Sequence, residues 1–544
     1  MLVTVLETLQ RFARRFRWSR RPSLWLAIIA GLALGYCLLF APGQLDRWLV
    51  PGILALAWCL LWYSFVSLFP DAVFDNPTDS EPSRVATVTT GLRRVGYGLL
   101  SLCLAATAVG LLMMTSRLLN TWNYGGSLAL TTKTSPTTRD SALPHLHRSA
   151  NGRIILSWVE TVANPAGTDQ PTLNQLKYAS LENSAWSEPT LVASGQDWFI
   201  NWADFPSVVA IDNQQLAAHW LRRSGEDTYA YDVVISHSAD NGQTWHAPRL
   251  PHADKTASEH GFVSLYSLSP RSDATYFGAV WLDGRNTLNP PPDNAMTLRA
   301  GEFSTATAQQ RREQNTQTKL LDARVCDCCQ TDVATLGDAV IVAYRDRGDS
   351  EVRDIAVTRK INGNWQPGAV VARDGWRVNG CPVNGPAIAA LTQTHSAATA
   401  NSVALAWYTE AAGPKVRLAL STNAAASFDN PITVDEHQPI GRVDVELDDD
   451  GSAIVSWVRY AAKGNDGDAA ELCVRRVFPG GSMEPIRVVA RTSAARASGF
   501  PQMVRNQDQL VFAWTKTTTQ KGSGGRLETR PTGIATATVP IRDI

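Results

Sequence analysis

The chain is 544 residues long and carries 50 basic and 50 acidic side chains, a formal net charge of zero. The length allows more than one domain of ordinary size. With no basic domain or stripe, the charge balance argues against nucleic acid or another polyanion as a partner.

Three apolar runs dominate the N-terminal part: Leu24 to Phe40, Ile53 to Phe69 and Val95 to Met114. With its flanks, each is long enough to cross the roughly 30 Å hydrocarbon layer as a helix. Trp25, Trp48, Trp58 and Trp62 supply aromatic groups, some of them near the expected interfaces, and Gly31 and Gly35 give one small-residue step for helix contact. A cleaved signal peptide is the competing reading of the first run; its length, the extended basic flank before it and the two further runs favour an anchor. Arg11, Arg14, Arg15, Arg17, Arg20 and Arg21 precede the first run, and Arg84, Arg93 and Arg94 stand between the second and third. The positive-inside rule then places the N-terminus in the cytoplasm and everything after about Leu118 on the far side of a bacterial inner membrane, in the periplasm or outside the cell. The expected organisation is a basic cytoplasmic segment (1–22), a three-helix transmembrane anchor (23–118), a linker (119–140) and a β domain (141–544), with the lipid bilayer as first partner.

Beyond the anchor, a short apolar strand with an aromatic residue recurs at intervals of about sixty residues, at Trp158, Trp220, Trp281, Tyr344, Trp407, Trp457 and Trp514. A strand precedes many copies across a turn such as Asp212-Asn213 or Asp450-Gly451, a third follows, and an aromatic turn at Trp186, Trp245, Trp365 or Phe428 introduces a fourth. A four-stranded unit with two apolar faces cannot bury them alone, whereas radial repetition with circular closure buries all of them. The pattern predicts an all-β propeller of seven blades, with six as the alternative count and a pair of β-sandwiches as the alternative architecture.

Ser238-Ala239-Asp240-Asn241-Gly242-Gln243-Thr244-Trp245 matches the Asp-box pattern S-x-D-x-G-x-T-W, with degenerate copies at Ser180 to Trp186 and Ser421 to Phe428. On these residues the chain resembles the sialidase-like (BNR-repeat) propeller superfamily over roughly residues 140 to 540. The box is a turn device, so Asp240 is expected to be structural. The resemblance implies a site built from three arginines, a Tyr–Glu pair and an Asp. The usual F/Y-R-I-P arginine motif is absent, and Arg285, Arg345, Arg347, Arg353 and Arg442 do not align with that triad. The segments Val325 to Thr331 (VCDCCQT) and Gly380 to Pro386 (GCPVNGP) further resemble a bacterial group of membrane-tethered, sialidase-like proteins, from which no activity is carried over.

In a propeller, the segments entering the inner strands converge on one mouth. Here they are Asp197 to Asp204, Glu259 to Phe262, Cys326 to Thr331, Gly380 to Pro386, Gly441 to Asp444 and Ser498 to Pro501. His260, Asp204, Glu259, Asp283 and Asp444 are the catalytic candidates, because glycosidase chemistry needs a pair of suitably spaced carboxyl groups and an imidazole titrates near neutrality. Arg442, Asn384, Gln330, Trp198, Trp202, Arg285 and Arg345 are the ligand-binding candidates. Trp198 and Trp202 form either a sugar-stacking lip or a plug. Cys326, Cys328, Cys329 and Cys381 are expected to form a disulfide between one of the clustered three and Cys381, clipping adjacent blade entrances. The alternative is a soft-metal site for Cu or Zn; the run is read as lacking a C-x-x-C pair, which sets a redox dithiol aside. Cys473 is expected buried and free. No cofactor is required by the leading reading, which is an extracytoplasmic domain that binds a glycan or related cell-envelope ligand or acts as a glycoside hydrolase. A non-enzymatic scaffold for a membrane or periplasmic protein, and a metal-binding or oxidoreductase protein, are the alternatives.

Overall fold

The computed structural model describes residues 124–163, 172–268, 275–290, 294–305, 318–391, 399–461, 469–521 and 527–544. The chain divides into units 1–122 and 123–544, and the described residues belong to the second. The basic segment and the three expected membrane helices lie outside the described residues. Among the described residues no helix is long and apolar enough to cross a membrane.

Among the described residues seven sheets follow one another along the chain, as the aromatic repeat predicts, antiparallel but for one added parallel strand. Their inner strands are Ser141–Arg148, Ser207–Ala210, His260–Ser267, Asp332–Leu336, Ala387–Ala390, Pro439–Leu447 and Gln502–Asn506. Each pairs with a second strand that carries the repeating aromatic, and that strand pairs with a third. These are seven blades. The six-blade count and the paired sandwiches are excluded.

The aromatic repeat is explained by what lies between blades. Each second-strand aromatic packs against the preceding blade, and seven apolar clusters fill the seven interfaces. Trp281, for instance, packs with Val209, Ala217 and Val233 of the blade before, Trp407 with Ile341 and Ile355, and Trp457 with Ala404 and Leu418. The seventh interface closes the ring: Trp158 of the first blade meets Val504, Val511 and Ile534 of the last. Trp158, Trp281, Trp407 and Trp457 are fully buried, and truncating one such residue costs about 3–5 kcal/mol. An aspartate accepts the indole N–H of three of them, Asp283 for Trp281, Asp374 for Trp407 and Asp435 for Trp457, at 2.7–2.9 Å, whereas Trp158 Nε1 is buried with no partner among the described residues.

The described part of the segment expected as a linker, 124–140, contributes two strands to the ring. Thr131–Lys133 pairs with Leu527–Pro540 as the outer strand of the last blade, and Tyr124–Ser127 runs parallel to the outer strand Ile486–Ser493 of the sixth. Both ends of the β domain therefore meet in one blade.

The Asp-box forms as its sequence implies. Asp240 accepts from the backbone N–H and the hydroxyl of Thr244, and the Ser238 hydroxyl accepts the Gly242 N–H. The degenerate copy at Ser421 to Phe428 keeps both backbone bonds with Asn423 in place of Asp and Ala425 in place of Gly, and reverses the side-chain bond, the Asn423 amide donating to the Ser427 hydroxyl. These turns lie between third and fourth strands, at the end opposite the mouth.

Candidate functional site

Inner strands start, second strands end and third strands begin at the same end of each blade, so that end gathers the chain-distant segments singled out in the sequence. They are bonded into a circuit. Gln330 donates through Nε2 to the Ala203 carbonyl (2.7 Å) and accepts the Gly385 N–H through Oε1 (2.9 Å). Asn384 accepts the Arg442 N–H (2.8 Å), and Arg442 Nη1 donates to the Ser498 hydroxyl. Trp202 stacks on Phe500 at 5.7 Å, and the Arg442 guanidinium lies 5.2 Å from the Trp202 ring. The circuit passes through five of the seven blades and back to its start.

Its recurring part is a residue of one blade seated against a glycine entering another. The Asp204 and Asn384 side chains and the Gln330 backbone occupy the space that a Cβ would fill at Gly261, Gly441 and Gly385, respectively. In the first, third and sixth blades the inner strand bulges just after its start, with Leu143, Phe262 and Arg442 in the left-handed region. The bulge turns Phe262 and Arg442 into the rim.

Trp202, Phe205, Phe262 and Phe500 share one apolar cluster over the centre of the mouth, so Trp202 acts as a plug. Trp198 stacks on Trp220 in the interface between the first two blades and contributes no lip. Beneath the plug lies a cavity of about 300 Å³ lined by inner strands, including His145, His147, Asp332, Asp444 and Glu446. Burial raises Asp332 to about 6 and Glu446 to about 7, and pushes Asp444 well above the usual carboxylate range. Burial lowers His145 to about 3 and His147 to about 4. The Asp444 carboxylate accepts the Met503 N–H (2.7 Å), and Asp332 accepts the Ile388 N–H (2.7 Å). Both acids tie one inner strand to the next.

The other candidates separate into two groups. In the first, the Tyr231 hydroxyl lies 3.0 Å from Asp204 Oδ2 and 2.7 Å from Glu259 Oε1. Tyr231 is fully buried and stacks on Phe199 at 4.0 Å. Asp204, also buried, accepts the Phe262 N–H. Burial raises Asp204 to about 8, with Glu259 adding to the effect, and raises Glu259 to about 7, with Asp327 adding to it. Glu259 is the half-exposed member. Next to it Asp327 pairs with Arg347 (2.9 Å) and Arg353 (3.5 Å), and Glu351 bridges the same two arginines. Tyr231 was not read from the sequence. Its one signal is position: it opens a third strand, directly over the acids entering the second and third blades.

In the second group His260 is buried among Asp254 (3.2 Å), Asp283 (3.7 Å) and Asp232 (3.8 Å), with the His252 ring stacked on it at 3.9 Å. Arg285 holds Asp283 through two bonds of 2.6 and 2.7 Å. Arg345 and Arg442 are enclosed within the rim. Both are buried, and their side chains donate to the Asn384, Arg353 and Tyr408 carbonyls and to the Ser498 hydroxyl and Ala494 carbonyl, respectively. Burial lowers Arg345 to about 9 and Arg442 to about 10.

Cys328 bonds to Cys381, joining the entrances of the fourth and fifth blades, and Cys326 bonds to Cys329. The run does hold a C-x-x-C pair, hidden because Cys328 sits inside it. With all four sulfurs in disulfides, this cluster offers no thiolate for Cu or Zn. Cys473 is free and buried.

The seven-bladed ring with its formed Asp-box is a propeller of the sialidase-like type. Three solved structures illustrate the likeness. An α-L-arabinanase of Penicillium chrysogenum complexed with arabinobiose is 9% identical, over 77% of this chain and 100% of that one, at a TM-score of 0.39. The NanB sialidase of Streptococcus pneumoniae is 11% identical, over 76% and 94%, at 0.36. The endosialidase of phage phi92 is 10% identical, over 76% and 69%, at 0.40. No family model and no curated protein matches the chain. No site residue is carried across from these structures.

Proposed function

We propose that this is a membrane-tethered, extracytoplasmic propeller whose mouth face binds a glycan, with Glu259 as the general acid of a glycoside hydrolase. The observation that carries the reading is the Asp204–Tyr231–Glu259 group. A glycosidic oxygen leaves only when protonated, so the acid must still hold its proton near neutrality. Glu259 has that property, is fixed by a buried phenol, and is the member of its group that solvent reaches. Asp204 and Tyr231 are positioning residues, because both are sealed under the rim. The second carboxylate that such chemistry requires is assigned to Asp327, the half-exposed acid nearest Glu259 in charge interaction. The paired Arg347 and Arg353 give the groove polar walls suited to hydroxyl or carboxylate groups of a sugar.

The test is the full chain against a broad set of glycans and aryl glycosides, sialosides included, beside Glu259→Gln. The reading expects turnover or binding, with turnover falling at least a hundredfold in Glu259→Gln while glycan affinity changes less than tenfold. Absence of both binding and turnover, or a Glu259→Gln protein as active as its parent, overturns it. The tether rests on the three apolar runs and their arginine asymmetry. Extraction by detergent but not by high salt or carbonate is the expected behaviour.

A further inference from the structure

We propose that His252, Asp232 and His260 form a binding site for a divalent transition ion of the zinc class, directly behind Glu259. This goes beyond the glycan reading and does not depend on it.

The three residues come from separate stretches. His252 lies in the connection between the second and third blades, Asp232 follows Tyr231 on a third strand, and His260 opens an inner strand. His252 Nε2 and His260 Nδ1 each lie 3.8 Å from Asp232 Oδ1, and the three donor atoms fall within 4.8 Å of one another. Four donors at zinc-like distances of about 2.0–2.2 Å sit roughly 3.3–3.6 Å apart. The two edges to Asp232 therefore need to shorten by roughly half an ångström or less, and the edge between the imidazole nitrogens, within 4.8 Å, by up to about 1.5 Å.

Two features mark this cluster as a ligand set and not a salt-bridge knot. The first is His252 Nε2, a buried nitrogen with no hydrogen-bond partner, on a side chain only 2% exposed. A neutral imidazole leaves such a lone pair unused at a cost unless something occupies it. The second is Asp254. Its Oδ1 lies 3.0 Å from His252 Nδ1 and its Oδ2 lies 3.2 Å from His260 Nε2. One carboxylate thus backs both rings and turns their remaining nitrogens toward Asp232. This is the outer-shell arrangement that fixes the tautomer of metal-binding histidines. Thr256 and Arg285 hold Asp254 in turn.

The nearby alternative of Asp254, His260 and Asp283 is already satisfied, since Arg285 and the Trp281 indole take both oxygens of Asp283. The Ser258 carbonyl, 3.1 Å from His260 Nδ1, is placed as a fourth, oxygen donor. The two rings lie parallel to within 2°, so loading turns them apart to converge their lone pairs. A mixed nitrogen and oxygen set favours Zn(II), Co(II) or Ni(II) over Ca(II). The ion would brace the Ser258–Glu259–His260 turn, and with it the acid.

The test uses the full chain in detergent with its disulfides intact, stripped with EDTA and titrated calorimetrically with Zn(II), and with Co(II) followed by visible absorption. One ion per chain is expected, with cobalt bands of an ordered low-coordinate site. His252→Ala and Asp232→Asn should each weaken binding at least tenfold, and the exposed His437→Ala should leave it unchanged. His252→Gln, which retains bulk and polarity, serves if the alanine variant melts out. A stripped protein that takes up no ion, or an affinity unmoved in folded His252 and Asp232 variants, overturns the proposal.

Discussion

At the scale of single residues, the buried acids and histidines set a pH dependence with a definite sign. Folded Asp204 keeps its proton to about pH 8, whereas an unperturbed aspartate loses it near 3.8. Between those values the folded state binds more protons than the unfolded one, so stability falls as pH rises through the window. Glu259 and Glu446, each raised to about 7, act in the same direction. His145, His147 and His219, lowered to about 3, 4 and 3 from 6.5, act oppositely, adding stability as pH rises through their own window. Above pH 6.5 the histidine contribution is complete and only the acids remain. The melting temperature should therefore drop between pH 6.5 and 8.5. Asp204→Asn keeps the acceptor for Phe262 and should remove about 1–2 kcal/mol of that drop. A scan in which the variant and parent lose the same stability over this range would refute the assignment of Asp204. Asp204 and Glu259 were legible as polar residues near strand entrances, but their environments were not, and Glu446, deep in its strand, was not read at all. Asp444 and Asp204 read alike in sequence; each accepts a backbone N–H from the next inner strand, and only Asp204 also has a phenol and, through it, a half-buried acid.

At the scale of elements, the propeller was legible because one residue class recurs for one physical reason, the sealing of an interface in every blade. The rim was less so, because its logic is pairwise between blades and no alternation announces it. The shared Gly-Phe-Val and Gly-Arg-Val of residues 261–263 and 441–443 were the available trace of the bulge. That trace yields a test. Gly441 has a φ of +96°, and a Cβ there would run into Asn384 and Tyr408, while Gly413, with a φ of +101°, faces open space. Gly413→Ala should lose about 1–2 kcal/mol from backbone strain alone. Gly441→Ala should lose clearly more in a denaturant titration, since it also pushes Asn384 off the Arg442 N–H. Equal losses would mean that the glycine serves only its own backbone. The disulfides divide the same way: a tie from the clustered cysteines to Cys381 follows from adjacent blade entrances, whereas the nested Cys326–Cys329 pair required coordinates.

At the scale of the whole molecule, stability depends on closure, and closure depends on three residues the sequence does not advertise. Thr131, Thr132 and Lys133 pair with Thr538, Ala537 and Thr536, so the outer edge of the last blade is supplied by chain from before the first. A three-residue polar strand has no periodicity to detect, which is why the segment read as a linker. Its energetic role exceeds its length. Without it, the edge of Leu527–Pro540 is left open to pair with other chains. The seventh interface, between Trp158 and Val504, Val511 and Ile534, then has nothing in the backbone holding its two sides together. A protein cut to begin at Ser141 should melt at least several degrees below one beginning at Asn123, and should associate with rising concentration through that edge. Light scattering beside thermal melting reads both effects. Identical melting and a monomer at all concentrations would show that side-chain packing alone closes the ring. If the strand is needed, a pull on the chain at Tyr124 loads first its parallel pairing with the sixth blade and only then the Thr131–Lys133 edge that closes the last.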